Sequence, residues 1–220
     1  SLVGNATRVD TSRIAFCEAP YDVVRKMRAS VLVLGPLLAR HGEALVSMPG
    51  GCAIGVRPID QHLKGLEALG ATFTLQDGYI HGKADGLIGA DIHLDMPTVT
   101  GTENILMAAT LAQGETNIFN AAKEPEIVDL ANYLRSLGAK ITGDGTPVIT
   151  VTGVSRLTPA SRPYRIMPDR IETGTYLVAA AATGGDITIV ETDPRIVKNE
   201  IDLLRKVGCE ITTTDTTIRC

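Results

Sequence analysis

The segment Met48-Pro49-Gly50-Gly51-Cys52-Ala53-Ile54-Gly55-Val56-Arg57 gathers the residue types in this chain best suited to chemistry. It holds a thiol, three glycines and a guanidinium, and Pro58 and His62 follow it. Glycine lets a backbone adopt conformations closed to other residues and come close to a ligand. Arg57, set beside a helix that opens at Pro58, makes an anion site for phosphate or carboxylate: the guanidinium and the unpaired N–H groups of the first turn both favour negative charge. The same surroundings lower the pKa of a neighbouring thiol. Cys52 is therefore a candidate reactive thiol held over an anionic substrate. The alternative is a small buried hydrophobe in an ordinary loop.

Other polar positions admit two readings each. Arg28 stands at the start of an apolar run, and Arg170 holds nearly the same place further on. Either binds an anion or pairs with a surface carboxylate. Thr98-Val99-Thr100-Gly101-Thr102-Glu103 and Asp169-Arg170-Ile171-Glu172-Thr173-Gly174-Thr175 are polar helix starts. They can present hydroxyls to a ligand, but capping is the default, with Thr173 as a candidate cap. His41, His81 and His93 lack metal-ligand spacing and are expected at the surface. Lys123-Glu124-Pro125-Glu126 is expected to be a solvated acidic helix start that suits the helix dipole.

These residues sit on a repeat of roughly 70 residues. Each copy opens with an apolar run, at Ala29–Leu34, Asn104–Ala109 and Tyr176–Ala181, and each run stops at a glycine, Gly42, Gly114 or Gly185. A strand-like stretch follows, then a proline (Pro58, Pro125, Pro194) suited to the first position of a helix. In the middle copy that helix carries Ile127, Val128, Leu130, Ala131, Leu134 and Leu137 on one face. The helices end at Leu69-Gly70-Ala71, Leu137-Gly138-Ala139 and Val207-Gly208-Cys209, where glycine suits a left-handed cap. Alternating strand pairs close each copy. The unit is helix, strand, helix, strand, strand, with a further strand leading in.

A first helix that is apolar nearly all round must be buried on every side. The expected fold class is therefore α/β, with three buried helices packed inside amphipathic helices and sheets. The expected boundaries are 1–20 (tail of a preceding unit), 21–95 (first unit, with the cysteine loop), 96–165 (second) and 166–220 (third). Thr7–Asp10 resembles a closing strand with nothing before it to pair with, so the chain is expected to begin inside a longer protein. From glycine to proline the chain advances 16 positions in the first copy (Gly42 to Pro58), 11 in the second (Gly114 to Pro125) and 9 in the third (Gly185 to Pro194). The excess in the first copy is the cysteine segment, and insertions on a repeat scaffold are where function is grafted.

Composition narrows the partners. In 220 residues, 21 Lys and Arg face 25 Asp and Glu, and aromatics are 4%. A net charge of −4 gives no global reason to bind nucleic acid, and scarce aromatics argue against base stacking. No apolar stretch nears the ~20 residues of a membrane span. The four cysteines are widely spaced with no CxxC pair, which favours free thiols in a reducing cytoplasm over disulfides or zinc.

The run Pro49-Gly50-Gly51-Cys52-Ala53-Ile54-Gly55-Val56-Arg57-Pro58-Ile59-Asp60-Gln61-His62 is similar to the active-site loop of the bacterial UDP-N-acetylglucosamine 1-carboxyvinyltransferases, a family of enolpyruvyl transferases. Ala19-Pro20-Tyr21-Asp22, Met27-Arg28-Ala29-Ser30, Glu124-Pro125-Glu126-Ile127-Val128-Asp129 and Pro168–Thr175 resemble it too. The resemblance implies an inside-out α/β barrel architecture. It also implies enolpyruvyl transfer from phosphoenolpyruvate to the 3-hydroxyl of UDP-N-acetylglucosamine, the first committed step of peptidoglycan synthesis. By the same resemblance Cys52 is the catalytic thiol, which protonates the enolpyruvyl methylene and is alkylated by fosfomycin. Arg57 binds phosphoenolpyruvate and touches the UDP-sugar. Pro58, Ile59, Asp60 and Gln61 line the UDP-sugar site, Arg28 reaches its anionic part, and Met96, Pro97, Thr98 and Val99 border the uridine.

Family members often carry Lys where this chain has Met96. No metal or organic cofactor is implied. The family builds six units into two lobes, and this chain has three, the third assigned to the other lobe. The missing second lobe is thus an expected partner, and the chain alone is expected not to turn over. A shikimate-type enolpyruvyl transferase, which shares the fold without this loop, and a non-catalytic repeat interaction module are the alternatives.

Overall fold

The computed structural model describes residues 2–3, 6–48 and 58–220. Pro49–Arg57, with the Cys52 and Arg57 expectations, lies outside the described residues. The chain divides into two compact units, Ser1–Tyr164 and Arg165–Cys220.

In the first unit β1 (Leu2–Val3) pairs antiparallel with β2 (Ala6–Thr7), so the expected unpaired strand at Thr7–Asp10 is corrected to a short hairpin. The first repeat then runs β3 (Glu18–Ala19), α1 (Tyr21–Val24), a 3-10 turn over Arg28–Val33, α2 (Leu34–His41), β4 (Glu43–Ser47), α3 (Asp60–Ala68), β5 (Thr72–Gln76) and β6 (Tyr79–Lys83). The second runs β7 (Asp91–His93), α4 (Val99–Ala109), β8 (Glu115–Phe119), α5 (Pro125–Ser136), β9 (Lys140–Thr142) and β10 (Val148–Thr152). Their sheets have one topology, β3-β4-β6-β5 and β7-β8-β10-β9. In each, the lead-in strand is parallel to its neighbour and the other pairings are antiparallel.

Strand alternation turns Ala44, Val46, Ile118, Ile149 and Val151 into the core. There β8 and β10 pack on α4, whose Ile105, Leu106, Ala108 and Ala109 are fully buried, and β4 packs on α2. Two glycines let the helices come this close. A Cβ on Gly35 of α2 would run into Asn104 of α4, and one on Gly65 of α3 would overlap the Ile105 side chain.

The second unit holds α6 (Arg170–Thr183), β11 (Thr188–Val190), a 3-10 turn over Pro194–Val197, α7 (Lys198–Lys206), β12 (Thr212–Thr213) and β13 (Thr217–Arg219). Its sheet, β11-β13-β12, reproduces the last three strands of the other repeats. Leu177, Val197, Ile201, Leu204, Ile211 and Ile218 form its core.

Helix ends carry the repeat most plainly. Gly70, Gly138 and Gly208 have φ of 99°, 99° and 103°. Behind each, Ala71, Ala139 and Cys209 return an N–H to the carbonyls of Leu66, Leu134 and Leu204. This is one Schellman cap written three times. Arg135 and Arg205, each three residues before its glycine, donate to the carbonyls of Ile141 and Ile211. Arg135 also pairs with Asp144.

Several expectations need correction. The first apolar run begins as a 3-10 turn and becomes α-helix only at Leu34. Gly42 caps α2, but α4 stops at Ala109 ahead of Gly114, and α6 is capped by Gly184. Pro125 opens α5 as expected, whereas α3 starts at Asp60, two residues beyond Pro58, because Ile59 (φ −109°, ψ 13°) is not yet helical. Pro194 opens a 3-10 turn ahead of α7. Finally, α6 is not buried all round. Thr173, Gly174, Leu177 and Ala180 face inward while Ile171, Tyr176 and Val178 are exposed, because α7 and a three-stranded sheet cover one side only.

Among the described residues no helix is long and apolar enough to cross a membrane. Cys17, Cys209 and Cys220 are free thiols.

Candidate active site

The start of α3 and the segment leading into α4 are locked side by side. Gln61 is buried, and its side-chain oxygen accepts the Asp95 N–H at 2.9 Å. Its Nε2 donates to the carboxylates of Asp95 and Asp60, each at 2.9 Å. One turn along α3, Lys64 reaches Asp95 Oδ1 at 2.5 Å. Hydrogen bonds from Lys64 and then Gln61 hold the Asp95 carboxyl below the usual carboxylate range. Arg28, at the head of the 3-10 turn, donates to the Pro58 carbonyl at 3.3 Å.

Arg28, Pro58–Gln61 and Met96–Val99 are thereby brought together, although they come from distant parts of the sequence. Met96 is exposed, and Thr98 caps α4 by accepting the Gly101 N–H at 3.2 Å. Because α3 begins at Asp60, a carboxylate rather than an empty anion site occupies its first turn, where the dipole favours negative charge.

Behind this surface lies a buried polar cluster. His62 is 2% exposed and Asn104 fully buried. Asn104 Oδ1 accepts the Gly35 N–H at 2.7 Å, and its Nδ2 donates to the Val31 carbonyl at 3.1 Å and to His62 Nδ1 at 3.0 Å. His62 Nε2 lies 3.1 Å from Thr100 Oγ1. Burial, helped by the Arg28 charge and opposed by Asp60, pushes the imidazole down to about 4, so it is neutral at pH 7.

Further along α4, burial and then the charges of Glu126 and Glu124 push Glu103 up to about 7. The Glu124-Pro125-Glu126 start is half-buried, not the fully solvated face expected from sequence. In the second unit Asp169, not Thr173, caps α6, accepting from the N–H groups of Ile171 and Glu172. Thr173 is buried with its hydroxyl 3.4 Å from that of Thr192.

Sequence reasoning did not single out Lys64, Asp95 or Asn104. For Asn104 a signal was present. One amide inside an apolar helix must find partners, because a buried polar group without them costs about 1–3 kcal/mol. Among the described residues no three His, Cys, Asp or Glu side chains are placed to hold a metal ion.

Helices laid against sheets of one repeated topology make an α/β fold, and it is the fold of enolpyruvyl transferases. The fold matches the enolpyruvyl transferase NikO from Streptomyces tendae with a TM-score of 0.75, at 23% identity, covering 93% of this chain and 49% of that one. An EPSP synthase from Acinetobacter baumannii matches with a TM-score of 0.62, at 21% identity, covering 87% and 45%. Residues 3–220 match the EPSP synthase (3-phosphoshikimate 1-carboxyvinyltransferase) family, and the chain belongs to it.

Within that family the chain is 58% identical over 200 residues to a UDP-N-acetylglucosamine 1-carboxyvinyltransferase of Desulforapulum autotrophicum, covering 91% of this chain and 48% of the relative. It is 58% identical over 211 residues to the protein of the same name from Magnetococcus marinus, covering 96% and 50%. The chain thus spans about half the length of these relatives.

Proposed function

We propose that this chain supplies part of a UDP-N-acetylglucosamine 1-carboxyvinyltransferase, moving the enolpyruvyl group of phosphoenolpyruvate to the sugar 3-hydroxyl with release of phosphate. The 58% identity to two proteins of that name carries the reading. The shikimate-type acceptor, which the matching family's description and a structure at 21% identity name, is the weaker reading beside relatives at 58%. The juxtaposition of Arg28, Pro58–Gln61 and Met96–Val99 supports a common UDP-sugar wall. In this reading Cys52 gives a proton to the enolpyruvyl methylene, Arg57 neutralises phosphoenolpyruvate, and Arg28 faces the anionic part of the nucleotide. A thiol beside arginines has its pKa drawn toward working pH, as proton transfer requires. The step belongs to cytoplasmic cell-wall synthesis. The chain carries three of the six repeats that the resemblance implies, so turnover is expected when the rest of the enzyme is present and not from this chain alone.

Fosfomycin labelling tests the assignment. Intact-mass spectrometry and peptide mapping are expected to show one adduct on Cys52, formed faster with UDP-N-acetylglucosamine and absent in Cys52→Ser. Labelling at Cys17, Cys209 or Cys220 instead would remove Cys52 from its role.

A further inference from the structure

The Asn104 amide has one possible orientation. Its Oδ1 faces a donor, the Gly35 N–H, and its Nδ2 faces an acceptor, the Val31 carbonyl. A flipped amide would set donor against donor and carbonyl against carbonyl. With Nδ2 fixed as a donor, His62 Nδ1 must be the unprotonated nitrogen, since it receives the Asn104 hydrogen. The neutral imidazole then carries its one proton on Nε2 and gives it to Thr100 Oγ1.

The consequence falls on Thr100. Its oxygen accepts from His62, so its own hydroxyl hydrogen points elsewhere, and it has no other hydrogen-bond partner among the described residues. Thr100 is half-buried, one residue beyond the Met96–Val99 segment, while His62 directly follows Pro58–Gln61. The two segments are therefore joined twice, by Gln61 to Asp95 near the surface and by His62 to Thr100 beneath it.

We infer that His62 is a positioning residue, whose Nε2–H holds the Thr100 hydroxyl as a donor toward an acceptor oxygen of the bound nucleotide sugar. The inference rests on the UDP-sugar reading above. His62 does not touch the ligand, and a side chain that accepts at one end and donates at the other can replace it. Glutamine meets that description and leucine does not.

UDP-N-acetylglucosamine affinity, measured by calorimetry on the 220-residue chain, tests this in a double-mutant cycle. Thr100→Val is expected to weaken binding about 10-fold, as for one lost hydrogen bond, and Thr100→Ser to keep it within about 3-fold. His62→Leu is expected to weaken binding about 10-fold in the parent chain and less than about 2-fold in the Thr100→Val background, with His62→Gln restoring most of the loss. A purely structural histidine would give equal losses in both backgrounds, which overturns the inference and leaves the UDP-sugar reading intact. If the parent chain binds no UDP-N-acetylglucosamine, the UDP-sugar reading fails for this chain and takes the ligand role of Thr100 with it. A nitrogen-15 spectrum of the ligand-free chain adds a readout independent of binding. The imidazole proton is expected on Nε2 near pH 7, and a proton on Nδ1 overturns the inference.

Discussion

Replacing Asn104 with leucine is expected to remove about 3 kcal/mol or more from the stability of the first unit, as read from urea unfolding followed by far-ultraviolet circular dichroism. Leucine shares the branched shape, but its methyls are bulkier than the amide, so crowding against Gly35 adds to the loss. The rest comes from two polar groups that lose their partner together, the Gly35 N–H and His62 Nδ1, while the Val31 carbonyl keeps the Leu34 N–H. Each is left in a dry place, because His62 and Asn104 are buried and Gly35 leaves no room for a Cβ beside Asn104, let alone a water. An unsatisfied buried group costs about 1–3 kcal/mol, and these two flank the same side chain, so relaxing one does not relieve the other. The gain from burying leucine, about 2 kcal/mol, offsets only part of this. A loss below about 1 kcal/mol would mean that the helices shift apart and re-pair these groups.

The same cluster shows which features a one-dimensional reading reaches. Local chemistry is legible. The caps at Gly70, Gly138 and Gly208 follow from glycine's tolerance of positive φ, and Pro125 opens its helix because proline lacks the N–H that a first turn leaves unpaired. Three such signals in register reveal the repeat, and the repeat implies the sheets. Contacts between segments are not legible in this way. Nothing near Gln61 announces Asp95, 34 residues away, and nothing near Glu103 announces Glu124 and Glu126. The start of α3 slipped from Pro58 to Asp60 because a proline permits a helix start without compelling one. The burial of α6 was overestimated for a related reason. An apolar circumference shows that a helix seeks cover, and the cover must come from surfaces that a single unit does not supply. Pro58–Gln61 and Met96–Val99 emerged through family resemblance, since their residue types alone are ordinary; Cys52 and Arg57 lie outside the described residues.

Acidification is expected to leave the first unit's stability nearly level between pH 7 and 4.5, because His62 and Glu103 pull in opposite directions. His62 titrates at about 4 when folded and near 6.5 when unfolded. As pH falls through that interval the unfolded chain takes up a proton that the folded one refuses, so stability drops, by about 3 kcal/mol over the two units down to pH 4.5. Glu103 has its pKa raised from 4.5 to about 7, so its folded form binds the proton first. Its contribution is fully present below pH 4.5, is lost as pH rises through 7, and therefore grows on acidification. Partial exposure to solvent trims this to about 2 kcal/mol. Single substitutions should separate the two. Glu103→Gln removes the rising contribution and is expected to make stability fall by about 3 kcal/mol from pH 6.5 to 4.5. His62→Gln keeps the Asn104 and Thr100 bonds, removes the falling contribution, and is expected to make stability rise by about 2 kcal/mol from pH 7 to 4.5. Carboxylates held low by partners, such as Asp95, lose their contribution only below their ordinary range, so they do not disturb this interval. Urea unfolding at several pH values gives the three slopes, and a Glu103→Gln profile as flat as that of the parent chain would show that His62 takes up its proton without opening the fold.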